Sequence, residues 1–245
     1  MDSLIFDIDG TLWDSRALVA EGFNLQLRDE GMERYAVDAE RLKGLFGKTM
    51  TEIADALFPD QPKQIRYPLM ERCMVREDRH LAQDPCHIGY PKIRETLEAL
   101  HRTHRLFIVS NSQKGYPELC MEKLGIGHLF SGHLCYGDTQ APKGVTIQTL
   151  LKKYRIPSAC YIGDTQGDME ASYQAGLPFV WASYGFGQPE NYDWKIEKPE
   201  ELVALVRNHT LQNQAAYLDI WAGCGIMNMK RALPISGLLN SGWLG

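Results

Sequence analysis

Hydrophobic and polar positions fall into two textures along the chain. Residues 3–9 (SLIFDID) form a short apolar run that ends abruptly in acids and Gly10. That is the pattern of a buried strand whose end opens onto a site. Residues 14–85 then read as helical. The stretch 15–30 carries Leu18, Phe23 and Leu27 and stops at Gly31, a C-cap position. Thr49 and Glu52 have capping-box spacing ahead of Ile53, Ala56 and Leu57, and Pro59 ends that helix. Pro62 opens a further helix towards Leu81, which Pro68 must kink or restart.

After residue 85 the pattern alternates. Pro91 starts a helix with Ile93, Leu97 and Leu100 on one face. A strand at 105–110 (RLFIVS) and a helix at 116–124, closed by Gly125, follow. Then come a short strand at 134–136, a helix at 146–154, a strand at 159–163 (ACYIG) and a helix at 167–174. A strand at 179–181 and a helix at 199–207 complete the series. Alternation of this kind predicts an α/β fold, a Rossmann-like parallel sheet with helices on both faces. The first strand is cut off from the series by the helical stretch. The expected organisation is therefore a core domain of residues 1–13 and 86–208 with an inserted α-helical cap domain at 14–85.

Composition narrows the class. The 245 residues are 44% hydrophobic and 23% charged, values of an ordinary globular chain rather than a disordered or fibrous one. A formal charge of −5 provides no overall basic field for nucleic acid or an anionic membrane. The first nine residues carry three acids and no basic residue, unlike a signal peptide, and no apolar run is long enough for a membrane span. The six cysteines (Cys73, Cys86, Cys120, Cys135, Cys160 and Cys224) contain no C-x-x-C pair and read as reduced thiols. A cytoplasmic protein, monomeric or weakly dimeric, is expected. Residues 209–245 hold only Asp219, Lys230 and Arg231 as charged groups. That tail is expected to pack on something or be sticky, with self-docking, a dimer contact and disorder all open.

Ligands of open parallel sheets sit beyond the carboxyl ends of the strands. Asp7, Asp9, Gly10 and Thr11 follow the first predicted strand, Ser110 and Asn111 end the RLFIV strand, and Asp164 and Asp168 follow ACYIG. Lys143 stands in a loop that opens a helix. Carboxylates converging on one edge repel unless a cation lies among them. Lys143 and a divalent ion supply that charge, and hard oxygen ligands with room for a phosphate suit Mg²⁺. The seven histidines show no i, i+4 ligand pair.

DIDGTLWDS (7–15), VSNS (109–112), Lys143 and YIGDTQGDMEASYQAGLPFVWASYGFG (161–187) occur in this order. With these pieces the chain resembles the haloacid dehalogenase superfamily of phosphohydrolases, in particular phosphoglycolate-phosphatase-like members with a helical cap. The resemblance spans residues 1 to about 207. It implies a Mg²⁺-dependent phosphatase acting on a small phosphorylated metabolite, phosphoglycolate-like or a sugar phosphate, through an aspartyl-phosphate. Asp7 would be the nucleophile. Asp9 would protonate the leaving oxygen and later take a proton from water. Ser110, Asn111, Thr11, Gly10 and nearby N–H groups would hold the phosphoryl oxygens, and Lys143 would neutralise charge growing there. Metal contacts would come from Asp7, the Asp9 carbonyl and Asp164. Asp168 completes that set by holding Lys143 or a metal-bound water, or else it caps the following helix. Gly10 and Gly163 would allow close backbone approach.

One departure is that Gly144 and Val145 follow Lys143, where the family often has prolines. In the cap, Lys48 sits in a loop where similar enzymes contact substrate. It meets a distal anion there or is a solvated lysine. The rival readings are a phosphomutase or a pyrophosphatase of the same fold, a dehalogenase and a non-catalytic phosphate-binding module. The mutase type carries an early cap histidine, where this chain has Val19 and no histidine before His80. A dehalogenase has no use for Asp9, and a binding module would have lost one of the aspartates.

Overall fold

The computed structural model of the chain describes residues 2–207. The tail at 209–245, with Cys224 and His209, lies outside the described residues. Six strands form one sheet in the order β3-β2-β1-β4-β5-β6. They are β1 (Ser3–Phe6), β2 (Arg105–Ser110), β3 (Phe130–Cys135), β4 (Ala159–Gly163), β5 (Phe179–Ala182) and β6 (Trp194–Ile196), every pair parallel. β1 lies near the middle and all four of its residues are buried, as its unbroken apolar run requires. Alternate residues supply the two faces. Leu4, Phe6, Leu106, Ile108 and Ile162 enter one apolar cluster, while Ile5, Phe107, Val109 and Tyr161 enter the other.

Ten helices are described: α1 (Arg16–Asp29), α2 (Ala39–Lys43), α3 (Met50–Leu57), α4 (Lys63–Gln83), α5 (Ile93–His101), α6 (Tyr116–Leu124), α7 (Tyr136–Thr139), α8 (Lys143–Lys153), α9 (Gln166–Gln174) and α10 (Glu201–Arg207). Ile147 and Leu150 of α8 and Met169 of α9 pack on one face of the sheet. Leu97 of α5, Cys120 of α6 and Leu202 of α10 pack on the other. This is the α/β, Rossmann-like arrangement with helices on both faces.

In chain order, helices α1 to α4 all fall between β1 and the rest of the sheet, and α1 is laid along α4. The chain leaves and returns side by side. The Asp14 N–H donates to the Ile88 carbonyl at 2.8 Å, and the Tyr90 N–H donates to the Leu12 carbonyl at 3.1 Å. Leu18, Phe23, Ile53, Leu69 and Cys73 of the insertion belong to the same apolar cluster as one face of the sheet. No helix among the described residues is long and apolar enough to cross a membrane. The five described cysteines are free thiols.

Four local details differ from the sequence reading. Pro68 does not restart α4, which runs unbroken from Lys63 to Gln83. Both Pro68 and Gln64, whose carbonyl loses its partner, are exposed, so water can satisfy that carbonyl. The strand expected at 134–136 is Phe130–Cys135, and Tyr136 opens α7 instead. Its first four residues are only half-buried or exposed, because β3 is an edge strand, and so its apolar signal is weak. β6 was not anticipated; it is a three-residue edge strand with Lys195 exposed. Finally, Lys143 is not in a loop but is the first residue of α8.

Candidate active site

The carboxyl edge of the sheet gathers the acidic residues. Asp7 follows β1, with its N–H bonded to the Ile162 carbonyl of β4 at 2.9 Å. Asp164 directly follows β4, and Asp168 stands in the first turn of α9. Carboxylate oxygens of Asp7, Asp164 and Asp168 lie within 4.8 Å of one another. Lys143 reaches between them. Its Nζ donates to Asp7 Oδ1 at 2.9 Å and to Asp168 Oδ1 at 2.6 Å, all three side chains being buried.

Asp168 is the most heavily bonded of the three. Besides Lys143, it accepts at Oδ2 from Thr165 Oγ1 (2.7 Å), the Thr165 N–H (3.0 Å) and the Asp164 N–H (3.2 Å). Thr165 and Asp168 form a capping box on α9, so the helix-capping reading and the lysine-holding reading are both realised. Asp164 accepts the Phe186 N–H at 2.6 Å on Oδ2, while its buried Oδ1 has no partner. Gly10, at φ +81°, passes so close to Asp164 Oδ2 that a Cβ there would collide with the carboxylate. This position needs glycine for both reasons.

Electrostatics follow from these contacts. Burial, then the neighbouring Asp168 charge, pushes Asp7 up to about 7 although Lys143 opposes it. Burial followed by Asp168 and Asp7 raises Asp164 well above the carboxylate range. Burial would raise Asp168 too, but Lys143 and the Thr165 donors win and hold it low. Burial disfavours the Lys143 charge, yet Asp168 and Asp7 outweigh it and raise its pKa. One ammonium thus faces three carboxylates, and the two raised groups register a shortage of positive charge. The unpartnered Asp164 Oδ1 beside Asp7 is the feature a divalent cation would satisfy, and the all-oxygen donor set suits Mg²⁺.

Asp9 is held by a different set of contacts. Its Oδ1 accepts from Trp13 Nε1 (2.7 Å), Ser15 Oγ (2.5 Å) and Tyr116 Oη (3.0 Å). All three bonds fall on one oxygen, which leaves Oδ2 for the adjoining cleft. Burial raises its pKa and the three donors pull it back. Sequence reasoning did not find these partners. Trp13 and Ser15 lie within DIDGTLWDS, whereas Tyr116 comes from α6 and carries no local signal.

The cleft is walled by Asp7, Asp9, Lys143, Ser110 and Asn111 from the sheet side and by Lys48, Met50 and Glu77 from the inserted helices. Ser110 Oγ accepts the Ser112 N–H at 3.3 Å. Asn111 donates from Nδ2 to the Gly47 carbonyl at 2.7 Å, and so ties the sheet edge to the loop that carries Lys48. Thr11 and Gly10 do not wall this cleft. Thr11 is fully buried and its carbonyl accepts from Tyr184 Oη, while Gly10 backs Asp164. Glu77, on α4, was also missed, because nothing in its neighbourhood along the chain marks it.

The family model described as haloacid dehalogenase-like hydrolase matches residues 4–182. A phosphoglycolate phosphatase from Aquifex aeolicus is 27% identical over 220 residues, covering 86% of this chain and all of that one. Among solved structures, a haloacid dehalogenase-like family hydrolase from Streptococcus pneumoniae superposes with a TM-score of 0.71 at 23% identity, covering 84% of this chain and 98% of its own. A predicted phosphoglycolate phosphatase from Haemophilus somnus gives 0.72 at 22%, with the same coverage. The motif residues, the sheet order and the carboxylate cluster together agree with this match over most of the chain: it belongs to the haloacid dehalogenase-like hydrolases.

Proposed function

We propose that the protein is a Mg²⁺-dependent phosphomonoesterase that acts on a small phosphorylated metabolite through an aspartyl-phosphate on Asp7. The observation that carries this reading is the buried Asp7–Asp164–Asp168 cluster, short of positive charge, with Asp164 Oδ1 left without a partner. The Aquifex aeolicus relative, named a phosphoglycolate phosphatase, supports the same reaction class. Phosphoglycolate-like compounds and sugar phosphates are both candidate substrates.

Asp7, Asp164 and the Asp9 main-chain carbonyl would hold the metal. When bound, Mg²⁺ would offset the phosphoryl charge that the carboxylates otherwise repel. Asp168 has both oxygens engaged, so it acts by fixing Lys143 and the 164–165 turn rather than as a ligand itself. Asp7 attacks phosphorus while Asp9 Oδ2 gives a proton to the leaving oxygen. Asp9 then takes a proton from the water that hydrolyses the acyl-phosphate. Lys143 already sits on Asp7 Oδ1, where it neutralises charge gathering on the transferring group. Ser110 Oγ and neighbouring N–H groups would bind phosphoryl oxygens.

We further propose that residues 14–85 act as a cap. The 45–49 loop already rests on the sheet edge through the Asn111–Gly47 bond, and Phe46 stacks on Phe186 at 5.5 Å. Such a lid excludes bulk water and confines the enzyme to small substrates. Inorganic phosphate release from a metabolite panel, with Mg²⁺ and with EDTA, tests the reading. Release that requires Mg²⁺ and leaves a phosphate-sized adduct on the Asp7 peptide supports it. Release undiminished by EDTA, or none from any ester, refutes it.

A further inference from the structure

Glu77 projects from α4 into the cleft and is only 4% exposed, yet its carboxyl has no hydrogen-bond or ion-pair partner among the described residues. Its neighbours along α4 do have partners. Asp78 accepts from Gln113 Nε2 at 2.8 Å, and His80 pairs with Glu21. The backbone at Glu77 is pressed by α1, where a Cβ on Gly22 would come within 2.8 Å of the Glu77 Cα. This contact backs the helix on the side of α1, and the side chain lines the same cleft as Asp9 and Tyr116. Asp9 is the group assigned to the leaving oxygen. A carboxyl at this place therefore faces the first atoms of the leaving group rather than the phosphoryl group.

We propose that Glu77 is a specificity-determining residue that hydrogen-bonds a hydroxyl of the leaving group, so that the preferred substrates are phosphomonoesters of polyhydroxylated alcohols, that is, sugar or polyol phosphates. The inference rests on the phosphomonoesterase reading of this same cleft. A cleft-lining carboxyl with no protein partner is free to pair with a ligand group in place of water. Among leaving-group functions, a carboxylate can pair with Glu77 only when Glu77 is protonated, and an ammonium only when it is ionised. A hydroxyl, being both donor and acceptor, serves either form. Ser112 adds a second unpartnered group, on the facing sheet-side wall. Its Oγ is buried without a bond and is also both donor and acceptor. A chain of hydroxyls can engage both groups at once.

The test is a specificity ratio, kcat/KM for hydroxylated esters (glycerol, pentose and hexose phosphates) divided by kcat/KM for phenyl phosphate, which has no hydroxyl. It is measured on the full chain with Mg²⁺. Glu77→Leu should lower this ratio by about tenfold or more, whereas Glu77→Gln, which keeps a donor and an acceptor, should hold it within about threefold. The Gln variant keeps the shape of the side chain, so it carries the test even if the Leu variant does not fold. A Gln ratio that collapses, or a Leu ratio that stays at the parental value, overturns the proposal. So does a parent enzyme that prefers phosphoglycolate to every hydroxylated ester. If the parent releases phosphate from none of these compounds, the phosphomonoesterase reading itself has failed, a different result from an altered ratio.

Discussion

The two walls of the cleft treat charge in opposite ways. On the sheet side, Asp7, Lys143 and Asp168 form a chain of bonds from 2.6 to 2.9 Å, and Asp168 is further tied to the Thr165 turn. On the helical side, Glu77 is just as deeply buried but stands alone, and Lys48 has no ion pair among the described residues. Cross-linked charges on a rigid strand edge suit steps common to every phosphomonoester, since the phosphoryl group never changes. Unpartnered groups on the inserted helices suit the part of the substrate that does vary. The sheet side thus pairs Asp7, Lys143 and Asp168 with one another and leaves Asp164 Oδ1 and Ser112 Oγ open, whereas on the helical side neither Glu77 nor Lys48 has an ion pair among the described residues.

The largest effect should come from the centre of the sheet wall. Asp7→Asn removes the nucleophile, and hydrolysis of every ester should fall by about 10⁴-fold or more, with no adduct on the peptide. The same change should stabilise the metal-free protein above neutral pH. The folded Asp7 holds its proton up to about 7, against an ordinary 3.8, so its contribution to stability is lost as pH rises through that window. Thermal melts in EDTA at pH 5 and pH 8 would show the parent losing more on alkalisation than the variant.

Asp9→Asn divides the two half-reactions. With alkyl phosphates the leaving alkoxide needs a proton, and the rate should drop by roughly 10²–10⁴. p-Nitrophenyl phosphate leaves as a stable anion. Mixing it with the variant should therefore give a burst approaching one equivalent of nitrophenol and then a slow steady state. Parental turnover of both ester types would remove Asp9 from the acid–base role.

Lys143→Met tests whether the sheet wall is truly cross-linked. Removing the one ammonium that the described residues place among three buried carboxylates should lower kcat by about 10²–10³ and cost roughly 3–5 kcal/mol of stability, with Mg²⁺ recovering part of the latter. Denaturant titrations with and without Mg²⁺ give the stability change, and steady-state kinetics give kcat. A variant as stable as the parent without metal would contradict the shortage of positive charge in the cluster.

The smallest effect lies at the boundary between the walls. Burial pushes Asp78 up to about 6 while Gln113 holds it down. A carboxyl raised in the folded state stabilises below its unfolded pKa and loses that contribution as pH climbs through 6. Asp78→Asn keeps the acceptor for Gln113 and removes the desolvated charge. Its Tm should exceed the parent's slightly at pH 7.5, by ~2 °C, and match it near pH 5. A difference that grows on acidification would reverse the sign and refute the burial argument.

Much of this molecule was legible along the chain because its signals are local. The strands 105–110 and 159–163 and the helix 116–124 were read to the residue, since a buried strand is a short apolar run and α6 closes on Gly125 at φ +67°. β3 and β6 blurred because edge strands need fewer apolar residues. Asp7, Asp9, Asp164 and Asp168 stood out because each follows a strand that the apolar pattern marks. Thr11 and Gly10 were grouped with the phosphate contacts through the DIDGT motif they share with Asp7 and Asp9; in the fold the Thr11 carbonyl accepts from Tyr184 and Gly10 lies against Asp164.

What the sequence determined by itself, then, is the alternation of elements and the acids placed at the strand ends, because strand period and turn chemistry are properties of a few consecutive residues. Tertiary structure alone decided which of those acids touch Lys143 and why Asp9 is held by Trp13, Ser15 and Tyr116. It also decided that Glu77 should stand unpaired opposite them. Tyr116 and Glu77 lie 107 and 68 residues along the chain from Asp9, and they meet it only because α6 packs on the sheet and α4 folds back along α1. Contacts of that kind depend on how faces pack at a distance, which no local pattern encodes.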